Sequence, residues 1–308
     1  MGKRKTGIDR ALCLIACVAL LLTGCGSEPL QKGLSAEVKS ASAQVLRTVP
    51  APVLGSVGGE WAVIGLVKSG AAVNEDYLNA YWDSIRASVK GARGQLTDRY
   101  YTTYARLTIA LCAIGKDPAN VEGYDMTAPL DDYDKVVRQG MNAASFALIA
   151  SQVSGIPLTH EADYIRYLLD KNREEEIYKD PSFSDYTAMT MQALAYYRQQ
   201  PETAAFLDLC VTALSDIQQP TGDFDNCEST AECIIALTAL GIDPFTDSRF
   251  IKNGISLGES LLHFKDGKRY VHQKGAEGFD EQMPQEKALL ALDALSAFAR
   301  GEKLYQPK

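Results

Sequence analysis

Residues 230–244 read TAECIIALTALGIDP and residues 104–118 read YARLTIALCAIGKDP, so the two stretches follow one plan. Each starts with small and aliphatic residues at helical spacing and closes on glycine, a variable residue, aspartate and proline. We expect the glycine to take the left-handed conformation that ends a helix, and the proline to prevent its resumption. Two copies of one helix with one stop signal indicate an internal repeat.

Four more segments share the small and aliphatic composition, giving six candidate inner helices at residues 60–66, 104–111, 141–148, 187–194, 230–237 and 285–292. Their last leucines are 37 to 55 residues apart, which leaves room for two helices and two loops per repeat. Intervening stretches such as 162–172 and 201–218 are more amphipathic, as outer helices are. The sequence predicts an all-α fold, an (α/α)6 toroid with six inner and six outer helices. An open superhelix of the same helix pairs is the structural alternative.

The N-terminus predicts an exported protein. Four basic residues within the first ten precede twelve apolar residues at 11–22, too few for the roughly 20 that a membrane-spanning helix needs. A basic start followed by a short apolar stretch is typical of a secretory signal. The sequence Leu22-Thr23-Gly24-Cys25 resembles the bacterial lipobox, which implies cleavage before Cys25 and acylation (palmitate) of that cysteine.

These features divide the chain into a signal peptide at 1–24, a lipidated tether at 25–52 and one domain at 53–308. The tether is predicted from residues rich in serine, alanine, glutamine and lysine that close on Pro50 and Pro52. We expect a cell-membrane lipoprotein whose domain lies outside the cytoplasm.

The charge balance excludes nucleic acid as a partner. Cleavage removes four basic residues and one acid, which changes the formal charge from −8 to −11. Nucleic-acid binding requires lysine and arginine to neutralise phosphates. The same balance argues against a polybasic membrane-binding face, so the lipid alone is expected to hold the protein at the membrane. Four cysteines remain after Cys25, and an exported protein permits a disulfide, for which Cys210 and Cys233 are the candidates.

A loop motif carries a family resemblance. Leu214-Ser-Asp-Ile-Gln218-Gln-Pro-Thr-Gly222-Asp-Phe224 resembles the Q-x3-G-x-W repeat of squalene cyclases and protein prenyltransferase β-subunits, with Phe224 in place of tryptophan. A degraded copy has Asn172, Glu176 and Tyr178 in the marked positions. The resemblance covers about residues 53–300 and implies the toroid. Complement thioester domains and the helical domain of cobalamin carriers use the same toroid. A shared fold does not carry a shared activity.

The catalytic motifs of that family are not matched. The string at 131–134, Asp-Asp-Tyr-Asp, has the wrong order for the cyclases' D-x-D-D acid, and we interpret it as a helix cap. Asp225, Cys227 and His272 have the residue types of the prenyltransferase zinc site but not its placement on the inner helices. We therefore assign no catalytic residues, no metal site and no cofactor.

Pairs of acids could support glycoside chemistry on such a barrel. We interpret the candidates as solvated surface residues because the chain is rich in acids; they are Glu60, Glu228, Glu232 and Glu286.

A toroid of this family opens at the starts of its inner helices, where aromatic and polar residues suit a small-molecule pocket. The candidate ligand-binding residues there are Trp61, Tyr101, Tyr104, Asn142, Tyr186, Glu228 and Gln285. The alternative is that Trp61 and the tyrosines merely fill the ring. The sequence favours a non-catalytic binding module for a small organic ligand, a peptide or a glycan, and resemblance to the cobalamin carriers makes a cobalamin-like ligand one version. An enzyme of the terpenoid cyclase or prenyltransferase type remains the alternative, and a partner-binding envelope module is a third reading.

Overall fold

The computed structural model describes residues 29–276, 278 and 282–307, and the prediction of an all-α protein is confirmed. Cys25, the predicted lipid attachment site, lies outside the described residues. The described part of the chain contains these helices: α1 Leu30–Thr48, α2 Trp61–Lys68, α3 Glu75–Gly91, α4 Thr102–Ala113, α5 Tyr133–Gln139, α6 Met141–Ser154, α7 Glu161–Glu174, α8 Ser184–Leu194, α9 Pro201–Ile217, α10 Cys227–Ala239, α11 Leu257–Ser260 and α12 Gln282–Ala299.

Two small antiparallel hairpins interrupt the helices, between α10 and α12. In the first, β1 (Ile251–Lys252) pairs with β2 (Ile255–Ser256), and in the second, β3 (Lys265–Asp266) pairs with β4 (Arg269–Tyr270). Strands of two residues are too short to reveal themselves through an alternating pattern, which explains why the sequence did not predict them.

The even-numbered helices contain the six predicted inner segments and pack in order. α2 contacts α4, α4 contacts α6, and the series continues through α8 and α10 to α12, which contacts α2 again. Most residues of these helices are buried, as the small and aliphatic composition requires. The odd-numbered helices α1, α7, α9 and α11 pack against α12, α6, α8 and α10, respectively.

The repeated stop signal works as the sequence predicts. Gly115 and Gly241 have φ of 71° and 78°. The next residue in each copy donates its N–H to a carbonyl five residues earlier, at 2.8 Å for Lys116 to Leu111 and 2.9 Å in the second copy. This bond closes a helix whose last carbonyls would otherwise lack donors.

The prediction that residues 25–52 form a tether is wrong for residues 30–48, which make α1. Its Val38, Ala41 and Val45 are buried against the body of the domain. The composition of this segment resembles that of a linker, yet its apolar residues recur at helical spacing and form a stripe along one side of α1. Packing of such a stripe against the rest of a protein supplies most of a helix's stability. The domain thus begins well before residue 53.

The glutamine motif joins neighbouring repeats. Gln218 donates through Nε2 to the carbonyl of Gly222 at 2.7 Å and to that of Phe250 at 3.3 Å. Gly222 has φ of 88°, and a Cβ there would approach the carbonyl oxygen of Ile255 to 3.1 Å. In the degraded copy Glu176 occupies the glycine position and still has a positive φ of 48°. The loop conformation therefore persists where its preferred residue has been lost.

Candidate ligand-binding site

The starts of the even-numbered helices surround a buried group of side chains that we call the floor: Trp61, Phe146, Gln192, Glu232 and Lys287. The ring of Trp61 lies 5.2 Å from that of Phe146, centroid to centroid, and Trp61 is only 4% exposed. The Nζ of Lys287 sits 3.9 Å from the centroid of the Trp61 ring. A cation over an indole face is attractive, and the attraction grows when water is excluded.

The same lysine forms a buried ion pair. Lys287 Nζ lies 2.7 Å from Glu232 Oε1, and Gln192 Nε2 donates to Glu232 Oε2 at 2.6 Å. Both charged side chains are more than nine-tenths buried. Burial of charge is unfavourable unless each group finds partners, and here α8, α10 and α12 each contribute one. The two charges of the floor are thus paired with each other, while the buried Oε1 of Gln192 has no hydrogen-bond partner.

Four half-exposed residues stand one helical turn or more nearer the helix starts, and we call them the rim: Asn142, Asp185, Tyr186 and Glu228. Asn142 precedes Phe146 by four residues and Glu228 precedes Glu232 by four, so each shares a helix face with a floor residue. Burial raises the pKa of Asp185, and the Glu232 carboxylate raises it further while Lys287 lowers it. The rim therefore lies within electrostatic reach of the floor.

Rim side chains keep hydrogen-bonding capacity. Asn142 Oδ1 accepts from the N–H of Ala143 at 2.8 Å, and Asp185 Oδ1 accepts from the N–H of Tyr186 at 2.9 Å. An amide NH2 and a second carboxylate oxygen can still bond to other groups. Half-buried polar groups next to a floor that combines aromatic rings with a buried ion pair have the mixed composition of a small-molecule site.

The remaining predicted ligand residues lie elsewhere. Tyr101 and Tyr104 contact each other at 5.9 Å and line a separate recess of about 410 Å³ beside Tyr124. The hydroxyl of Tyr104 donates to the carbonyl of Thr97 at 3.0 Å. Gln285 is buried: its Oε1 accepts from the Tyr270 N–H at 2.9 Å and its Nε2 donates to α1. Of the seven predicted residues, Trp61 thus belongs to the floor, Asn142, Tyr186 and Glu228 belong to the rim, and the other three bond to other parts of the domain or line the separate recess.

Two of the three residues with zinc-ligand chemistry, His272 and Cys227, bond to protein groups. His272 Nδ1 lies 2.9 Å from Glu228 Oε2, and the thiol of Cys227 donates to the carbonyl of Pro284 at 3.6 Å. Burial raises the pKa of the Cys227 thiol far above its ordinary value. No group of three or more metal-binding side chains occurs among the described residues. Cys112, Cys210, Cys227 and Cys233 form no disulfide among the described residues, so the candidate bond between Cys210 and Cys233 is not formed.

The string at 131–134 caps helices, as predicted. Asp132 Oδ1 accepts from the N–H of Lys135 at 3.3 Å at the start of α5. Asp131 accepts from the backbone and hydroxyl of Thr159.

The interpretation of the paired acids as solvated surface is wrong for Glu60, Glu232 and Glu286, which are buried. Glu60 accepts from the Gly55 N–H at 3.0 Å and lies 3.5 Å from Arg106 Nε. Burial raises the pKa of Glu60 to about 7, and Arg106 opposes that shift. These acids interrupt segments that are otherwise small and apolar, and that context was the signal that they point inward.

A second concave region lies at the other ends of these helices and was not predicted. A cavity of about 720 Å³ is lined by the last turns of α2, α4 and α6, with Lys68, Cys112 and Tyr305 among its walls. Nearby, Asp293 is 2% exposed, and neither of its carboxyl oxygens has a hydrogen-bond partner. Burial raises its pKa well above the ordinary range, although Arg300 and Lys68 lower it. In the sequence, a single acid within an apolar stretch of α12 was the signal that could have predicted this buried carboxyl group.

Comparison with known proteins adds no relative. No family model matches this chain, and no curated protein matches it either. None of the helices in the described ranges is long and apolar enough to span a membrane.

Proposed function

We propose that this protein is a lipid-anchored binding module outside the cytoplasm, which holds a small organic ligand, a peptide or a glycan at the rim of an (α/α)6 toroid. The observation that carries the proposal is a set of half-buried polar side chains, on three helices, above a floor whose own charges are fully bonded. The amide NH2 of Asn142 and the second carboxylate oxygen of Asp185 have hydrogen-bonding capacity beyond their backbone bonds, and this capacity is available to a ligand.

The toroid is supported by the order of helix contacts. Each even-numbered helix packs on the next, and α12 packs on α2 as well. An open superhelix would separate its first and last inner helices, so the contact between α12 and α2 favours a closed arrangement. α1 supplies the outer helix that completes the sixth pair.

The rim chemistry favours hydroxyl- or amine-bearing ligands. Asp185 and Glu228 are acceptors when ionised, Asn142 can donate and accept, and the Tyr186 ring offers an apolar face. Sugars and peptides present the matching donors, whereas a strongly anionic ligand such as a diphosphate would meet two carboxylates. The lipobox at Cys25 predicts a location outside the cytoplasm, where the site would meet extracytoplasmic sugars and peptides.

Native mass spectrometry of the purified mature chain tests the proposal, because a ligand held at the rim can co-purify. Thermal shifts against glycans, peptides, corrinoids and isoprenoids then identify its class. Asn142→Ala with Asp185→Asn should weaken the ligand found by at least about tenfold, since each lost hydrogen bond with a charged or buried group is worth about 1 kcal/mol or more. The control pair is Asn120→Ala with Asp216→Asn, both on exposed positions. Equal binding in the two double variants would refute the site.

An enzyme of the terpenoid cyclase or prenyltransferase type is the second candidate, and Glu60 is the observation in its favour. A carboxyl group with a pKa of about 7 can give and take a proton near neutral pH. Its side chain is completely buried, so a substrate would have to displace the segment that covers it. Product formation from isoprenoid substrates that is lost in Glu60→Gln would favour the enzyme over the binding module.

A further inference from the structure

A groove runs between α1 and the ends of α2 and α12, and all the charged residues that line it are cations. It measures about 710 Å³, and its charged wall residues are Lys32, Lys39, Lys68 and Arg300. This concentration of positive charge stands out in a chain of formal charge −8. Leu34 and Leu46 give the same groove apolar walls.

The exposed face of α1 carries no acid. Lys32 and Lys39 lie two turns apart on it and are exposed. The helix has a single acid, Glu37, whose carboxylate bonds to Lys265 and to the hydroxyl of Tyr270. Residues seven apart share one side of a helix, so the two lysines present their charge together.

The start of α1 is fixed to the body of the domain. The N–H groups of Leu30 and Gln31 donate to the two carboxylate oxygens of Glu259, at 2.8 Å and 3.1 Å. These bonds satisfy donors at the helix start that have no partner within the helix. The groove therefore keeps a set position relative to the point where the chain enters the domain.

The predicted lipid attachment site is close to that point. Five peptide steps separate Cys25 from Leu30, and an extended chain covers at most about 18 Å in five steps. Lys32 follows within the first turn of α1. The groove is thus on the part of the domain that an acylated Cys25 would hold nearest to the membrane.

We propose that this groove binds the phosphate-bearing head group of an anionic phospholipid, in the leaflet that holds the lipid of Cys25; the inference rests on the anchor proposed above. The lysines bond the phosphate, and the leucines contact the glycerol and the first methylene groups. The partial negative charge at the ends of α2 and α12 opposes an anion, but Ser69 and Glu302 donate N–H groups to carbonyls there at 2.9 Å. The positive charge of Arg300 is balanced by its ion pair with Glu302 at 2.9 Å. The three lysines of the groove therefore supply the charge that binds the phosphate.

This inference corrects the expectation that the lipid alone holds the protein at the membrane. Net charge is a property of the whole chain, whereas attraction to a surface depends on the charges within about a Debye length, about 10 Å at 0.1 M salt. A local basic patch on an acidic protein can therefore face an anionic bilayer while the remaining acids face away.

Vesicle co-sedimentation of a chain that starts at Gly26 tests the proposal without its lipid, and this chain contains every described element. The vesicles are phosphatidylcholine with and without phosphatidylglycerol, at about 0.1 M salt. Each lysine near an anionic surface strengthens attachment roughly fivefold. Lys32→Glu with Lys39→Glu should weaken binding to the phosphatidylglycerol vesicles by at least about thirtyfold. The control is Lys90→Glu with Lys268→Glu, which makes the same charge change on exposed positions far from the groove in sequence.

We expect binding that requires phosphatidylglycerol, falls with salt and survives in the control pair. Equal binding to both vesicle types, no binding to either, or an equal loss in both double variants would overturn the proposal. The anchor itself is tested separately, because Cys25→Ser in the full chain should remove the mass of the acyl chains and the detergent-phase partitioning. If Cys25→Ser left the mass and the detergent-phase partitioning of the full chain unchanged, the anchor would be refuted. The vesicle assay would still test the groove, because it uses a chain without Cys25.

Discussion

At the starts of the even-numbered helices a buried charged pair is fully bonded, whereas near their ends a buried carboxyl group has no hydrogen-bond partner. Lys287 and Glu232 hold each other at 2.7 Å beneath the rim. Asp293, two turns further along α12 than Lys287, lies beside a cavity of about 720 Å³ and makes no hydrogen bond. Burial is severe at both places, so the difference lies in the partners.

The contrast shows two ways of keeping a titratable group inside a protein. A charged group can be buried if an opposite charge and hydrogen bonds replace its water, as at the floor. Without such partners the group becomes neutral instead, and its pKa moves accordingly, as for Asp293. The first arrangement makes stability depend on the integrity of the pair, and the second makes it depend on pH.

Breaking the floor pair should have the largest effect. Lys287→Met leaves the Glu232 carboxylate buried without its cation, which should lower the free energy of unfolding by about 3–5 kcal/mol. Chemical denaturation measures the loss. Lys171→Met is the control, because its ion pair with Glu175 is exposed and should contribute no more than about 0.5 kcal/mol.

The double variant Lys287→Met with Glu232→Gln separates charge from packing. Removing both charges should recover much of the loss, since no unpaired ion then remains. A double variant as unstable as the single one would show that the lysine acts through its contact with Trp61 rather than through the ion pair.

Glu60 should make stability fall as pH rises towards neutrality. Its pKa in the folded protein is about 7 against an ordinary value of 4.5. The folded chain therefore holds a proton that the unfolded chain releases, and the free energy of unfolding decreases between about pH 4.5 and 7, by up to about 3 kcal/mol. Glu60→Gln should flatten this slope, whereas Glu75→Gln, on an exposed residue, should not. Denaturation curves across that range decide it, and a slope unchanged in Glu60→Gln would contradict the burial argument.

Asp293 should act in the same direction as Glu60. Its pKa is raised by burial, so its contribution to stability is present in acid and is lost as pH rises through the folded pKa. Asp293→Asn, which cannot ionise, should be more stable than the natural chain near pH 7 by about 1 kcal/mol. The matched control is the exposed Asp216→Asn. Equal pH profiles for Asp293→Asn and the natural chain would mean that the carboxyl group is bonded.

The helical fold could be predicted from the sequence because its signals are local. Repeated small and aliphatic segments and the glycine stops at 115 and 241 each act within about a dozen residues, and the structure confirms both. α1 was missed because its composition resembles that of a linker. Its apolar stripe has meaning only against α12, which lies more than 230 residues away.

The candidate site was predicted less completely because it depends on which way a side chain points. Asn142, Tyr186 and Glu228 lie half-buried at the starts of their helices, whereas Gln285, one position from Glu286 on α12, turns towards α1 and Tyr270. One residue along a helix rotates a side chain by about 100°. Aligning the helix starts tells how far along its helix a residue lies, but not which way its side chain points. The ion pair between Lys287 and Glu232 therefore could not be predicted.

Two cysteines provide the least perturbing test of the contrast between the helix ends. Cys227 opens α10 at the floor end and is fully buried, with a pKa raised by burial, whereas Cys112 closes α4 and lines the cavity at the other end. A buried thiol reacts only when the structure opens around it, so Cys112 should be modified by N-ethylmaleimide at least about tenfold faster than Cys227. Peptide mass spectrometry of the chain that starts at Gly26 measures both rates, and denaturant should make them equal. Faster modification of Cys227 would show that the structure opens more readily around the start of α10 than around the end of α4, against the burial of the two thiols.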